Sequence, residues 1–385
     1  MYKLNPFPKQ PTILIVDDTP ENLRVTSSLL EDHYRVKVAN NGEKALRIVR
    51  SNDPPDLILL DIMMPGLDGY EVCRQLQADT ITKHIPIIFV TSLVESEDEK
   101  HGLDIGAVDY IYKPINPSIT LARIKTHLHL KEMYDSLQEK NILIETQIEL
   151  GRSLQEVILP KPLPKIENAK VNYIYNPIEH LSGDFLDFYY SASRSKLGFF
   201  ICDVSGHGVP SSMITTMVKI SLNEWGETLE YPIETLKKMQ GQLKGKLGDY
   251  FLTSITGCLD LKTGHVVVAN AGHPPAIILN HEGVIILEKG GTILGDDIEG
   301  EFTQSEFDLK SRDILLLYTD GIYDFPGKGG DGSLWKWERF IQFMRSQKFP
   351  NIESIGLEII QRIEDLNDRK TAWRDDITIM ALQYL

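Results

Sequence analysis

The stretch Leu57-Ile-Leu-Leu-Asp61-Ile-Met-Met-Pro-Gly-Leu-Asp-Gly69 decides the fold of the first third of this 385-residue chain. Its aliphatic run is too short for a helix and lacks polar alternation, so it predicts a strand buried on both faces. The run ends on a carboxylate, Asp61. Pro65-Gly66 then turns the chain, and Tyr70–Gln77 continues with helical spacing. A buried strand that returns through a helix is one unit of a parallel α/β sheet.

The same alternation continues outward on both sides. Ile13–Val16, Val36–Ala39, Ile87–Val90 and Val108–Tyr112 read as strands. Pro20–Asp32, Glu43–Arg50, Glu95–Ile105 and the segment after Pro117 read as helices. Together these units predict a flavodoxin-like, doubly wound parallel sheet, whose crevice lies beyond the carboxyl ends of its strands. Asp17-Asp18 close the first strand, Asp61 the third, Thr91 the fourth and Lys113-Pro114 the fifth. The topology therefore gathers carboxylates, a hydroxyl and an amine at one edge. Adjacent carboxylates repel unless a cation lies between them, and oxygen donors without His point to Mg2+. A carboxylate beside a divalent cation and a Lys can accept a phosphoryl group, because both cations neutralise its charge.

Asp17-Asp18, Asp61 to Gly69, Thr91-Ser92 and Lys113-Pro114, in this order and spacing, resemble the receiver domain of bacterial two-component response regulators over residues 11–130. The resemblance implies Asp61 as phosphoacceptor and a sensor histidine kinase as its phosphodonor. It implies Asp17, Asp18, Asp61 and the Met63 carbonyl as the Mg2+ site. Thr91 would bind the phosphoryl group, Lys113 would pair with it, and Tyr110 would be the switch aromatic. An aromatic in a fifth strand is also readable as plain packing.

Between Ser118 and Leu159 the only strong breaker is Gly151. Leu130, Leu137 and Ile144 recur at seven, then Leu143, Leu150 and Val157, with a register shift near Gly151. A continuous helix here would be roughly 60 Å long at about 1.5 Å per residue. It reads as a helical linker that forms a two-stranded coiled coil, or as one helix on a domain surface. Gly151 would mark a bend or an interruption.

Beyond Pro164 the chain is strand-rich. Lys170–Tyr175, Leu197–Val204, Thr253–Asp260, His265–Asn270, Ala276–Leu279, Gly283–Leu287, Asp313–Tyr318 and Thr378–Leu382 read as strands. Ser211–Glu224, Ile233–Leu243, Lys336–Ser346 and Ile352–Asp365 read as helices. Four Asp motifs lie at strand ends or turns: Ser182-Gly-Asp184-Phe, Asp203-Val-Ser-Gly-His-Gly208, Tyr318-Thr-Asp320-Gly and Asp375-Asp-Ile-Thr378. Converging carboxylates of this kind can hold two divalent cations, which bind phosphate oxygens and activate water. Oxygen-only ligation favours Mn2+ or Mg2+ over Zn2+.

These motifs, in this order, resemble the PPM (PP2C-like) metal-dependent serine/threonine phosphatases of the bacterial SpoIIE/RsbU-type branch over residues 160–385, with the lead-in Ser153 to Pro164. The resemblance implies an α+β sandwich of sheets flanked by helices. It implies that Asp203 bridges two Mn2+ or Mg2+ ions, that Asp184 and the Val204 carbonyl hold one, and that Asp320 and Asp375 hold the other. Asp376 would support the site or substitute in the assignment. Ser182 stands where the family usually has the first Gly of Gly-Gly-Asp. Ser311-Arg312-Asp313 replaces a common Pro-Gly-Asp turn. No phosphate-gripping Arg is assigned.

His207 and His273 read as substrate-contacting groups or as hydrogen-bonded structural histidines. Asp324–Trp337 reads as a substrate flap or as an insertion. Cys73, Cys202 and Cys258 are odd in number and widely spaced, which fits neither a disulfide framework nor a zinc motif and suggests a reducing, cytoplasmic compartment. With 40 Lys and Arg against 55 Asp and Glu, the net charge of −15 offers no general attraction to nucleic acid or anionic membrane. No apolar run is long enough to span a bilayer. The expectation is therefore a multidomain α/β chain: a receiver at 1–125, a helical linker at 126–160 and a phosphatase domain at 161–385. Phosphorylation of Asp61 would control dephosphorylation of a STAS-type anti-sigma factor antagonist, within a homodimer. The alternative is a catalytically silent phosphatase-like module that sequesters a partner. A transcription factor is excluded, because no helix-turn-helix with a basic recognition face follows residue 130.

Overall fold

The computed structural model describes residues 10–385 apart from 93–95, 162, 164, 179, 192, 297, 324, 327–333, 348, 350 and 367–374. The chain forms two compact units, divided between Ile144 and Glu145.

In the first unit the chain runs β1 (Thr12–Val16), α1 (Pro20–Leu30), β2 (Arg35–Ala39), α2 (Gly42–Val49), β3 (Leu57–Asp61), α3 (Gly69–Ala78), β4 (Ile87–Thr91), α4 (Ser96–Asp104) and β5 (Asp109–Tyr112). The strands are parallel in the order β2-β1-β3-β4-β5. The central run behaves as its composition requires. Ile58 and Leu60 pack in one core with Val49, Val72 and Leu76, while Leu57 and Leu59 pack in the other with Leu30 and Ile124. Each fully buried Leu or Ile contributes about 1.5–3 kcal/mol relative to exposure. The turn after Asp61 is fixed by Asp68, whose side chain accepts from Glu71 N–H at 2.8 Å and caps α3.

The next helix, α5 (Pro117–Ile158), is 42 residues long. It runs through Gly151 without interruption, so the expected break there does not occur. A Cβ on Gly151 would lie 3.4 Å from the Leu181 side chain. That is ordinary van der Waals distance, so the packing here would admit an alanine and does not itself require glycine.

In the second unit follow β6 (Ala169–Asn176), β7 (Asp184–Tyr190), β8 (Lys196–Val204), α6 (Val209–Glu224), α7 (Pro232–Leu243), β9 (Phe251–Asp260), β10 (His265–Ala271), β11 (Ile277–Asn280) and β12 (Gly283–Ile286). Then come β13 (Leu294–Gly295), β14 (Thr303–Asp308), β15 (Ile314–Tyr318), β16 (Phe325–Pro326), β17 (Leu334–Trp335), α8 (Trp337–Ser346), α9 (Ile352–Leu366) and β18 (Ile377–Tyr384). Two large antiparallel sheets form, β14-β10-β9-β8-β7 with β13 on β9, and β12-β11-β15-β18-β6, and β16 pairs with β17 in a small third. Alternation along β15 shows the layering. Leu315 and Leu317 enter the core shared by both sheets, whereas Ile314, Leu316 and Tyr318 pack on Phe340, Met344, Ile355 and Ile359 of α8 and α9. Ile214, Val218, Leu236 and Met239 of α6 and α7 join the shared core from the other sheet.

β7, β13, β14, β16 and β17 were not expected from the sequence. β7 and β14 are the two edges of their sheet. Edge strands carry polar residues that blur the buried-strand pattern. Asp187 of β7 is 7% exposed, and its charge is met by Lys219 of α6 at 2.8 Å.

Candidate phosphoacceptor site and candidate metal centre

At the carboxyl edge of the first sheet, one carboxylate oxygen from each of Asp17, Asp18 and Asp61 lies within 4.8 Å of the others. Asp17 and Asp61 are buried, as is Thr91 at the end of β4. Lys113 Nζ donates to Asp17 Oδ2 at 2.7 Å and to Asp61 Oδ2 at 2.8 Å. Asp17 also accepts from Thr19 N–H and from Asn22 Nδ2, which fixes its orientation. Met63 N–H reaches toward Asp61 Oδ1 at 3.4 Å, so the Met63 backbone lies beside the cluster. Burial raises the Asp61 pKa and the Asp17 charge raises it further, although Lys113 opposes both. Burial disfavours the Lys113 ammonium, but its bonds to Asp17 and Asp61 prevail and hold its pKa up. A single ammonium balances part of this negative charge. The oxygen donors therefore fit a divalent cation, with Asp17, Asp18 and Asp61 as side-chain ligands.

Tyr110 on β5 is 3% exposed and stacks on Phe89 at 5.6 Å between ring centroids. Its hydroxyl occupies the space that a side chain at Gly102 would need, since a Cβ there would come 1.7 Å from it. The absence of a side chain at Gly102 of α4 thus leaves the space in which the ring lies.

In the second unit, antiparallel pairing places Asp184 at the start of β7 opposite Asp203 near the end of β8. Asp184 is buried and accepts from Thr319 Oγ1 at 2.8 Å, on the residue before Asp320. Thr319 Oγ1 in turn accepts from Thr378 N–H at 2.9 Å. β15 and β18 are neighbours, so Asp320 and Asp375 leave adjacent strands at the same end. Two glycines permit this closeness. A Cβ on Gly183 would meet the Val204 carbonyl oxygen at 2.7 Å, and one on Gly321 would meet the Asp376 carbonyl oxygen at 2.0 Å.

The electrostatics record the convergence. The Asp203 carboxyl is pushed far above the usual range, first by burial and then by Asp320, Asp375 and Asp376. Asp184 is pushed up by burial and by Asp203 and Asp376. Carboxylates so arranged fit divalent cations, which would replace this repulsion by attraction. Asp184, Asp203, Asp320 and Asp375 are the side chains that could hold them.

Asp376 does something else. Its carboxylate accepts from Ile178 N–H at 2.8 Å, Ser182 Oγ at 2.7 Å and Gly183 N–H at 2.9 Å. It ties the turn before Asp184 to β18, while the neighbouring Asp375 is exposed. Ser182, the departure from Gly-Gly-Asp, also accepts from Asp184 N–H at 3.0 Å. His273 is buried, and its Nδ1 pairs with Thr253 Oγ1 at 2.7 Å. Asn270 bonds both backbone groups of His273, so this His is part of a braced turn. His207 is exposed in the turn after β8. Cys73, Cys202 and Cys258 are buried thiols. Of the Asp324–Trp337 loop, residues 324 and 327–333 lie outside the described residues. No helix among the described residues is long and apolar enough to cross a membrane.

The combination defines an α/β unit with a carboxylate cluster and a Lys at its sheet edge, followed by a sandwich with an acidic centre. Residues 193–385, half of the chain, match the family Stage II sporulation protein E (SpoIIE), and residues 13–125 match the response regulator receiver domain. The chain belongs to the SpoIIE family and carries a response regulator receiver domain. It is 45% identical over 139 residues to a probable cyclic di-GMP phosphodiesterase of Vibrio cholerae, covering 36% of this chain and 31% of that protein. It is 40% identical over 129 residues to the response regulator PleD of Caulobacter vibrioides, covering 33% of this chain and 28% of that one. The chain thus spans less than a third of the length of these curated relatives. Its structure is similar to the SiaA-PP2C domain of Pseudomonas aeruginosa, with a TM-score of 0.57 and 20% identity over 64% of this chain and 99% of that one. That likeness is one of fold.

Proposed function

We propose that this protein is a response regulator in which phosphorylation of Asp61 sets the activity of a metal-dependent protein serine/threonine phosphatase. The observation that carries the reading is the convergence of Asp184, Asp203, Asp320 and Asp375, from four separate segments, at one end of the sandwich. Mn2+ or Mg2+ bound there would supply a neutralising cradle for phosphate oxygens and an activated water. Asp203 would bridge, Asp184 and the Val204 carbonyl would hold one ion, and Asp320 and Asp375 the other. Thr319 orients Asp184 through its hydroxyl, and Asp376 braces the turn that precedes it.

In the receiver, Asp61 would take a phosphoryl group from a sensor histidine kinase, with Mg2+ on Asp17, Asp18, Asp61 and the Met63 carbonyl. Lys113 is already bonded to Asp61 and would neutralise the added charge. Thr91, at the end of the neighbouring strand, would bind the phosphoryl oxygens, with Tyr110 as the responding aromatic. The proposed divisions are a receiver at 1–125, a linker at 126–160 and a phosphatase domain at 161–385. The proposed substrate is a phosphorylated STAS-type protein in the cytoplasm. Leu130, Leu137 and Ile144 are each more than half exposed on α5 at a seven-residue spacing, which supports a coiled-coil homodimer.

The test is phosphate release from a phosphoserine STAS protein with Mn2+, with and without beryllofluoride on the receiver. Metal-dependent release that disappears in Asp203→Asn is the expected result, and the beryllofluoride ratio gives the sign of control. Tight substrate binding without phosphate release would favour the silent binding module.

A further inference from the structure

Near the end of α5, Gln155 is 7% exposed and its amide is bonded to the Ser182 turn and to Thr215 of α6. Its Nε2 donates to the Ser182 carbonyl at 2.7 Å and to Thr215 Oγ1 at 3.2 Å. Its Oε1 accepts from Ser182 N–H at 3.0 Å. An amide that pairs with both backbone groups of one residue fixes the peptide planes on either side of it. Ser182 is two residues before Asp184, and its hydroxyl accepts from Asp184 N–H while donating to Asp376. Gln155 therefore reaches Asp184 through a single intervening residue, and it reaches the segment bearing Asp375 through the same one.

A second, steric observation places the helix on the same seat. Gly151 lies one turn before Gln155 on the same face, and Leu159 follows directly on the last residue of α5. Gly151 faces Leu181, which is 6% exposed, and Leu159 at 4% joins the core shared by the two sheets. Residues 151 and 155 of α5, with Leu159 just beyond it, are the seated segment, and Leu181-Ser182 is part of its seat.

We infer that Gln155 is a positioning residue through which α5 holds the Asp184 turn, so that the acidic centre binds metal well only while α5 is seated in this register. This inference rests on the metal-dependent phosphatase reading. It makes α5 a latch, because an axial slide of one residue moves a helix side chain about 1.5 Å, enough to break hydrogen bonds of this length. The same helix begins just after Lys113 of the phosphoacceptor cluster, so a change there that shifts α5 would be felt at Ser182.

The test uses full-length Gln155→Leu and Gln155→Glu. The first is apolar; the second keeps the size and the acceptor of the Ser182 N–H but loses both donated bonds. Mn2+ binding is followed by electron paramagnetic resonance, and phosphate release from a phosphoserine STAS protein is measured as Mn2+ is varied. The Asp61 cluster serves as an internal reference and keeps its Mn2+ affinity. The sites that Asp203→Asn removes should weaken about 10- to 100-fold, the usual effect of losing a group that orients a ligand. The Mn2+ needed for half-maximal phosphate release should rise by the same factor, with the rate recovering at high Mn2+. A merely structural role would lower the melting temperature and leave this metal requirement in place. If the wild-type protein has no Mn2+ sites sensitive to Asp203→Asn, the phosphatase reading falls and the latch falls with it. If it has them and both Gln155 variants keep wild-type affinity, the latch alone is overturned. Should Gln155→Leu not fold, Gln155→Glu decides by the same criterion.

Discussion

Asp184 and Asp203 stand opposite each other as register partners on β7 and β8, and both have pKa values raised by burial and by neighbouring carboxylates. Without metal this arrangement destabilises the fold, because like charges are held together in a partly buried space. Replacing Asp203 by Asn removes one of the charges but little volume. In EDTA, Asp203→Asn should therefore melt above the wild-type protein, at roughly 2–4 °C for each kcal/mol of relieved repulsion. With Mn2+ the order should reverse, since only the wild type gains binding free energy from the ion. Thermal melts in EDTA and in Mn2+ check this. A variant that melts below wild type in both buffers would show that Asp203 is needed for packing and not for metal.

Tyr110 and Gly102 form a matched pair. Any Cβ at position 102 would lie 1.7 Å from the Tyr110 hydroxyl, so Gly102→Ala must displace the ring or the helix. Overpacking of this kind costs about 1–3 kcal/mol. The expected outcome is a Tyr110 ring moved from its inward position and a reduced effect of beryllofluoride on phosphate release. Fluorotyrosine placed at 110 and followed by fluorine NMR reads the ring's environment directly. An unchanged resonance together with an unchanged beryllofluoride ratio would remove Tyr110 from the switch.

Much of this architecture is legible in the chain because buried parallel strands leave a strong local trace. Leu57–Leu60 could hardly be anything else, and Asp17 follows β1 while Asp61 and Thr91 end β3 and β4, as their places in the sequence suggested. β7 and β14 left weaker traces. Asp184 and Asp187 interrupt the apolar pattern of β7, and Asp187 is buried only because Lys219 arrives from α6, 32 residues later. Gly151 read as a breaker because its helix penalty is local, whereas the helix that carries it through is held by packing at both ends. Gln155 left no trace at all. Its main partners are the backbone groups of Ser182, 27 residues away, and backbone groups have no residue-type signature. Asp376 was visible as a carboxylate, but its task depended on donors from Ile178, Ser182 and Gly183 that only the fold brings to it.

Lys113 is bonded to Asp17 and Asp61 at once. Its removal leaves two buried carboxylates facing one another. Breaking a buried ion pair from one side costs about 3–5 kcal/mol, and the lower end applies because Lys113 is only partly buried. Lys113→Ala should thus lower the stability of the first unit by about 3 kcal/mol in EDTA and by less in saturating Mg2+. All four tryptophans, the first being Trp225, belong to the second half of the chain. Loss of helical circular dichroism without a change in tryptophan fluorescence therefore reports the first unit. Equal destabilisation in EDTA and in Mg2+ would mean that Mg2+ does not share these carboxylates with Lys113.

His273 gives the second unit an acid sensitivity whose sign is fixed. Burial lowers its pKa to about 3, against about 6.5 for an unfolded His. Below pH 6.5 the unfolded chain takes up a proton that the folded chain refuses, so stability falls as pH falls toward the folded value. The slope approaches about 1.4 kcal/mol per pH unit within that window, and above it the contribution is constant. His273→Gln keeps a polar partner for Thr253 but does not titrate. The variant should be less stable than wild type at neutral pH because it packs less well. Its deficit should then shrink between pH 6.5 and pH 4.5, by on the order of 2 kcal/mol. Urea unfolding followed by tryptophan fluorescence at a series of pH values measures the two curves. Parallel curves across this window would show that His273 takes up a proton in the folded protein, through an opening that its Thr253 and Asn270 contacts do not prevent.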